Sequence, residues 1–384
     1  MPIRTVKNAA MTVRQIITDC RTMGIVGERN LLLAIYLVGT SRLLEYPLSA
    51  IVQGKSSTGK SYLVSEIARL FPQDQVIYAT RMTPQALYHM DSVAHKFVVA
   101  GERSRVQDET GADATAALRQ LQSERRIVKQ ITERGEDGKH ITRTVGVEGP
   151  IAYVETTTLQ PGKIFPEDLN RALLLWTDES EGQTKAILKR VAGRYSETRS
   201  LDVEAIVDKH RDFQAQLEQQ PVAIPFASQL MESIPAKKVE ARRVGQQILS
   251  MIEAVTLLHQ PNRKRDANDR LVATVRDYEI ACQILRQPLG QSLGVGASAA
   301  AFYEKLADKF GEKVFSTEQA QKLDLAGERT VRGWLAALAA HECLKQIQPS
   351  KGPKPATWQL NGKKPTDAVL PAAPELGLAG KAGI

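Results

Sequence analysis

Residues 54–61 read Gly-Lys-Ser-Ser-Thr-Gly-Lys-Ser. A G-x-x-x-x-G-K-S segment has a purpose only where a strand ends and a helix begins. The flanks fit that demand: the apolar run Leu48–Val52 (LSAIV) predicts a buried strand, and Tyr62–Leu70 (YLVSEIARL) predicts a helix. Gly54 and Gly59 allow the backbone to turn its N–H groups inward around Lys55, Ser56, Ser57 and Thr58. Lys60 is then placed to reach the β- and γ-phosphates of a nucleotide, and Ser61 offers a hydroxyl to Mg²⁺ at the helix N-terminus. The expected ligands are ATP or GTP, with Mg²⁺.

At 384 residues the chain has room for two or three domains. Its 51 Lys and Arg against 43 Asp and Glu give a formal charge of +8. That surplus favours an anionic partner such as nucleic acid, although dispersed basic residues also describe an ordinary solvated surface. Cys20, Cys282 and Cys343 are isolated, so neither a disulfide framework nor a C-x-x-C zinc site is expected. The histidines, at 89, 95, 140, 210, 259 and 341, show no ligand spacing. No apolar stretch reaches about 18 residues, which argues against a membrane span. The N-terminus lacks the apolar core of a signal peptide, and a cytoplasmic location is expected.

Val13, Ile16, Ile17 and Cys20 repeat with helical spacing, and a second apolar helix is predicted over 28–44. Residues 1–45 thus read as a helical N-terminal segment. Five apolar runs follow: Leu48–Val52, Val76–Thr80, Phe97–Ala100, Ile151–Thr156 and Ala172–Trp176. Runs alternating with crossovers predict an α/β core over 46–195, a mostly parallel five-stranded sheet with helices on both faces. One insertion breaks the rhythm. Over 126–147, RIVKQIT and HITRTVGV flank the Gly-containing turn ERGEDGK, the pattern of a β-hairpin. It is either a surface excursion or a nucleic-acid contact. Arg126, Lys129, Arg134, Lys139 and Arg143 favour the contact.

Residues 196–297 read as a helical lid or linker, with the strongest periodicity over Val239–His259. Residues 298–360 show the order of a winged helix, with a capping-box start at Ser316-Thr317-Glu318-Gln319. Arg329 and Arg332 open its recognition helix, and Lys351 and Lys354 lie on its wing. The same fold also docks proteins. Residues 361–384 are rich in Ala, Gly and Pro and are expected to be disordered.

Triphosphate hydrolysis needs a metal-binding acid, a group that orients water, and positive charge at the γ-phosphate. The third run ends in Gly101-Glu102-Arg103. Glu102 stands where a water-activating carboxylate belongs, unless it merely pairs with Arg103 or Arg105 on the surface. Gly101 takes the place usual for the metal acid, leaving Mg²⁺ to Ser61, phosphates and water, or to another acid. The fourth run ends in Glu155-Thr156-Thr157-Thr158, where a polar residue such as Thr157 could reach the γ-phosphate. β-Propensity alone also favours such a run. Arg171, just before the fifth run, is either an ordinary charged cap or a group that completes a neighbouring subunit's site.

In this order the pieces resemble an AAA+ ATPase, specifically the MCM-like replicative helicases of phages, plasmids and chromosomal islands. The matching segments are GKSSTGKS, MTPQALYHM, KFVVAGERSR, the hairpin with EGPIAYVETTT, EDLNRALLLWTDES, a basic lid helix and the winged helix. They cover roughly residues 10–360. The resemblance implies an ATP-driven DNA helicase that works as a homo-hexamer on single-stranded and forked DNA, with a primase or initiator as partner. It makes the hairpin a pre-sensor hairpin gripping DNA through Lys139, with His140 beside it. It makes Arg171 an arginine finger and Arg242 or Arg243 the sensor-two residue. Two departures stand against it: Gly101, and the lack of a DNA-binding collar, zinc or primase domain ahead of the ATPase core. They favour the alternative of a non-unwinding AAA+ loader or initiator.

Overall fold

The computed structural model describes residues 11–79, 92–103, 109–134, 140–160, 163–196, 202–234, 239–292, 297–324, 326–352, 354–363, 365 and 370–376. The segment MTPQALYHM and the hairpin tip, including Lys139, lie outside them. The chain forms two compact units. One comprises Met1–Pro225 with Gln246–Ile284, the other Phe226–Gly245 with Leu285–Ile384. The helical segment 196–297 is shared between them.

The first unit is built on five strands: β1 (Ser49–Gln53), β2 (Val76–Ala79), β3 (Lys96–Arg103), β6 (Ile151–Thr157) and β7 (Leu173–Trp176). The strands β4 (Arg126–Arg134) and β5 (His140–Glu148) stand outside this sheet. Its order is β2-β3-β6-β1-β7, and all four pairings are parallel. Counting core strands alone, the order is 2-3-4-1-5. Every residue of β1 and β6 is buried, as the uninterrupted apolar runs require of central parallel strands, whereas the edge strand β2 is half-exposed. The helix α2 (Arg29–Thr40) is buried from Leu31 through Thr40 and packs against both β6 and α3 (Lys60–Ala68). A helix apolar on all sides belongs in a core.

A polar cluster ties the N-terminal helices to the helix Val203–Gln216. The carboxylate of Asp19, on α1 (Val13–Thr22), accepts from His210 Nε2 at 3.0 Å, from Gln15 at 2.9 Å and from Lys209. His210 is fully buried, and its Nδ1 lies 3.0 Å from the Tyr36 hydroxyl. The neutral ring protonated at Nε2 satisfies both contacts. Burial, only partly opposed by Asp19, pushes the imidazole pKa down to about 4 from 6.5.

The β4–β5 arm is an antiparallel ladder running from Arg126↔Glu148 to Arg134↔His140. Nine residues per strand give an arm about 27 Å long. Its base is buried. Ile127 and Val147 join Val98, Ala100, Leu118, Leu121 and Tyr153 in one apolar cluster on the sheet. Beyond it Val128, Gln130, Thr132, Thr142 and Thr144 are exposed. The base is closed by Gly149 N–H donating to the Arg125 carbonyl at 2.7 Å. The Arg125 guanidinium pairs with Glu45 at 2.7 Å and lies over the Tyr46 ring.

In the second unit the helices Ala297–Phe310, Thr317–Gln321 and Glu328–Ala340 pack with a three-stranded sheet in which Thr357–Leu360 lies between Phe315–Ser316 and Leu344–Gln348. The capping box is present: Ser316 Oγ accepts from Gln319 N, and Gln319 Oε1 from Ser316 N. The core holds Phe302, Leu306, Phe315, Val331, Leu335, Leu338 and Trp358. Disorder was expected over 361–384, but its described part departs from that. Leu370 and Ala373 are buried and Ala373–Leu376 is a 3-10 turn. Among the described residues no helix is long and apolar enough to cross a membrane.

The buried imidazole makes stability depend on pH. Below pH 6.5 the unfolded chain takes up a proton at His210, while the folded protein resists until about 4, so stability falls as pH drops through that window. The full effect is roughly 3 kcal/mol. Urea unfolding at pH 7 and pH 4.5 should show the loss, and His210→Gln should flatten the difference while lowering stability at pH 7.

Candidate phosphate-binding site

The carboxyl ends of β1, β3, β6 and β7 meet around residues 54–61, the crevice where open α/β sheets bind ligands. The loop leaves β1 between its neighbours. Gly54 N–H donates to the Thr157 carbonyl at 3.3 Å on the β6 side, and Thr177 N–H donates to the Gln53 carbonyl at 3.2 Å on the β7 side. Gly54 has no room for a side chain, since a Cβ there would lie 2.1 Å from Thr177 Oγ1. Gly59 has φ +86°, and it caps α3 without any side-chain hydrogen bond. The first N–H groups of α3 therefore lack a capping acceptor of the chain's own, as an anion site requires.

Lys60 is buried. Its Nζ donates to the carbonyls of Gly54 at 2.8 Å and Lys55 at 2.7 Å. Burial lowers the pKa of the ammonium, and the carboxylates of Glu102 and Glu179 oppose that shift. Ser61 is exposed beside it, as are Lys55, Ser56 and Ser57, with Thr58 half-buried and its hydroxyl on the Lys55 carbonyl. Ser57 has φ +68°. The donor set is backbone N–H groups, one ammonium and the Ser61 hydroxyl. It fits a polyphosphate, with a hard cation held by Ser61 and the phosphates themselves. Among the described residues no group of three or more His, Cys, Asp or Glu is arranged for a metal ion.

Glu102 lies at the bulged end of β3. The register steps from Val99↔Val154 to Glu102↔Thr156, so β3 carries one extra residue at Ala100–Gly101. The position expected of a metal acid is thus part of a β-bulge, which re-aims the side chain that follows. Glu102 Oε1 accepts from the Thr158 hydroxyl at 2.9 Å. Sequence reasoning singled out Thr157. Its hydroxyl is fully buried and accepts the Leu159 N–H at 3.1 Å, while its neighbour Thr158 faces the carboxylate. The hydroxyls of Thr156 and Thr177 are buried without a hydrogen-bond partner among the described residues.

Arg171 is folded back onto its own chain, donating to Ser123 Oγ at 2.9 Å and the Glu167 carbonyl at 2.7 Å. The neighbouring Asp168 pairs with Arg119 at 2.6 Å. Arg242 and Arg243 are both exposed at the start of the helix Ala241–Leu258. Arg329 and Arg332 lie one turn apart on the exposed face of Glu328–Ala340, with Arg332 paired to Glu328, and Lys351 is exposed. His140 holds the last ladder position of the hairpin. Sequence reasoning missed Glu179, whose contact with the loop spans 124 residues.

The sequence matches no protein-family model and no curated protein. Among solved structures it is similar to the RuvB Holliday junction branch migration motor of Thermotoga maritima. The identity is 12% over 88% of this chain and 93% of that one, with a TM-score of 0.29. A second is the active helicase Cch of SCCmec type IV, at 12% identity over 97% of this chain and 73% of that one, with a TM-score of 0.33.

The crowding at Gly54 gives one test. Gly54→Ala should cost about 1–3 kcal/mol of stability by overpacking and weaken nucleotide binding. Adding Thr177→Ala removes the clashing oxygen and should recover much of both, as measured by thermal melting and nucleotide titration. The Glu102–Thr158 contact gives another. Glu102→Gln should keep nucleotide affinity and lower steady-state turnover by about 10²-fold. Thr158→Ala, which removes one hydrogen bond to a charged group, should lower turnover by about tenfold.

Proposed function

We propose that this chain is an AAA+ ATPase working as an ATP-driven DNA translocase or helicase, assembled as a ring of subunits, in the replication of a mobile element. The observation that carries the reading is the β4–β5 arm. It is a nine-pair antiparallel ladder whose base packs against Val98 and Ala100 of β3, the strand whose far end bears Glu102. Support also comes from the 2-3-4-1-5 strand order with the phosphate loop after the first strand. In this reading Lys60 and the loop N–H groups hold the ATP phosphates, Ser61 binds Mg²⁺, and Glu102 orients the attacking water. Arg171 would exchange its bonds to Ser123 and Glu167 for the γ-phosphate of a neighbouring subunit. Arg242 or Arg243 would serve as the sensor-two residue.

DNA enters this reading at two places. Lys139 and His140 at the arm's tip would grip the backbone of a single strand as point charges, so binding should be salt-sensitive and largely independent of sequence. The second unit, with the element order of a winged helix, would contact duplex DNA through Arg329, Arg332 and Lys351. Gly101 favours a second reading, a loader or initiator that uses ATP to assemble on DNA without unwinding it.

Unwinding of a forked duplex by the full chain separates the two. The helicase reading expects ATP-dependent strand separation, lost in Lys60→Ala together with nucleotide binding. It expects Lys139→Ala to keep nucleotide binding, weaken single-strand binding with a salt slope reduced by about one phosphate contact per engaged subunit, and abolish unwinding. ATP-dependent DNA binding without strand separation would replace it with the loader reading.

A further inference from the structure

We propose that Glu179 is a positioning residue for the phosphate loop: it grips Lys55 and so holds the loop in the shape that presents its donors to a nucleotide. The proposal rests on the nucleotide-binding reading above. Glu179 follows β7 by three residues and meets the loop's first variable position with both oxygens. Its Oε1 accepts the Lys55 backbone N–H at 2.8 Å, and its Oε2 pairs with Lys55 Nζ at 2.9 Å. On the other side of the same residue, the Lys55 carbonyl accepts from Lys60 Nζ at 2.7 Å and from the Thr58 hydroxyl at 3.0 Å. Every polar group of Lys55 is thereby engaged. Its peptide groups are fixed between an acid 31 residues beyond the end of the hairpin at Glu148 and the lysine that is to meet the phosphates.

The carboxylate is itself held on a rigid base. Thr177 extends β7 alongside β1 through its bond to Gln53. Asp178 N–H donates to Glu28 Oε1 at 2.7 Å, and the Asp178 carboxylate accepts the Ser180 N–H at 2.8 Å. Ser180 Oγ accepts the Gln183 N–H in the first turn of the helix Glu181–Ser196, and Gln183 Nε2 donates to the Val26 carbonyl at 2.8 Å. The 177–183 segment thus connects the phosphate loop to the turn before α2. A carboxylate beside a polyphosphate site repels the ligand, and Glu179 is close enough to Lys60 to favour its charged form. The Lys55–Glu179 ion pair lies in solvent and contributes little by itself. The bond to the backbone N–H remains, and it fixes loop shape.

The test is equilibrium titration of the full chain with fluorescently labelled ATP and Mg²⁺. Glu179→Ala should bind about tenfold more weakly, the loss of one charge-assisted hydrogen bond. Glu179→Gln keeps an oxygen for the Lys55 N–H without the charge, and it should restore affinity to within about threefold of the parent. The assignment is overturned if Glu179→Ala binds as tightly as the parent or more tightly, or if Glu179→Gln is as weak as Glu179→Ala. Lys60→Ala keeps this failure apart from that of the reading beneath it. Normal binding by Lys60→Ala would remove the nucleotide site itself. Lost binding there with normal binding by Glu179→Ala would remove only the role of Glu179.

Discussion

Strand β1 is buried on both faces and bonded in parallel to β6 on one edge and β7 on the other, and each candidate group for phosphate chemistry is placed relative to it. Parallel strands carry no tight turns between them, so their carboxyl ends all open on one edge of the sheet. The loop that leaves β1 is therefore flanked by the ends of β6 and β7, which supply the Thr157 carbonyl and the Thr177 N–H to its first turn. Glu102 arrives two strands away, and Thr158 reaches across to it. The loop has little freedom of its own. Gly54 is crowded by Thr177, Lys55 is gripped by Glu179, and Lys60 closes onto both carbonyls.

Much of this architecture is legible in the sequence because strands buried on both faces are rich in apolar residues. The runs at 48–52, 97–100, 151–156 and 172–176 coincide with β1, β3, β6 and β7 to within three residues at either end. The arm between Arg126 and Glu148 is equally visible, since its β-prone segments flank a Gly-containing stretch of sequence. What was hidden depends on contacts far apart in the chain. The bulge at Ala100–Gly101 needs knowledge of the β6 register. The choice between Thr157 and Thr158 depends on which hydroxyl faces Glu102 once the strand has ended. The Asp19–His210 contact joins residues 191 apart, and no local pattern announces it.

The electrostatics of the site follow from one buried ammonium. Removing Lys60 from water disfavours its charge, and the two nearby carboxylates restore part of it. Its hydrogen bonds to the loop carbonyls aim the ammonium before any ligand arrives, so an incoming phosphate exchanges one set of acceptors for another with little reorganisation. The Gly101 bulge occupies the position where a metal-binding acid is expected, so Glu102 is the carboxylate that the end of β3 carries.

The hairpin and the site share a foundation. Val98 and Ala100 of β3 pack in one cluster with Ile127 and Val147 at the base of the arm and with Leu118 and Leu121 of the helix between them. The base is clamped further by Gly149 on the Arg125 carbonyl and by Arg125 on Glu45 and Tyr46, which stand just before β1. The arm is thus fixed at its root to the strand that leads into the phosphate loop and to the strand that ends in Glu102. That contiguity is structural, and energetic coupling along it requires that the cluster have two arrangements which nucleotide and DNA each bias.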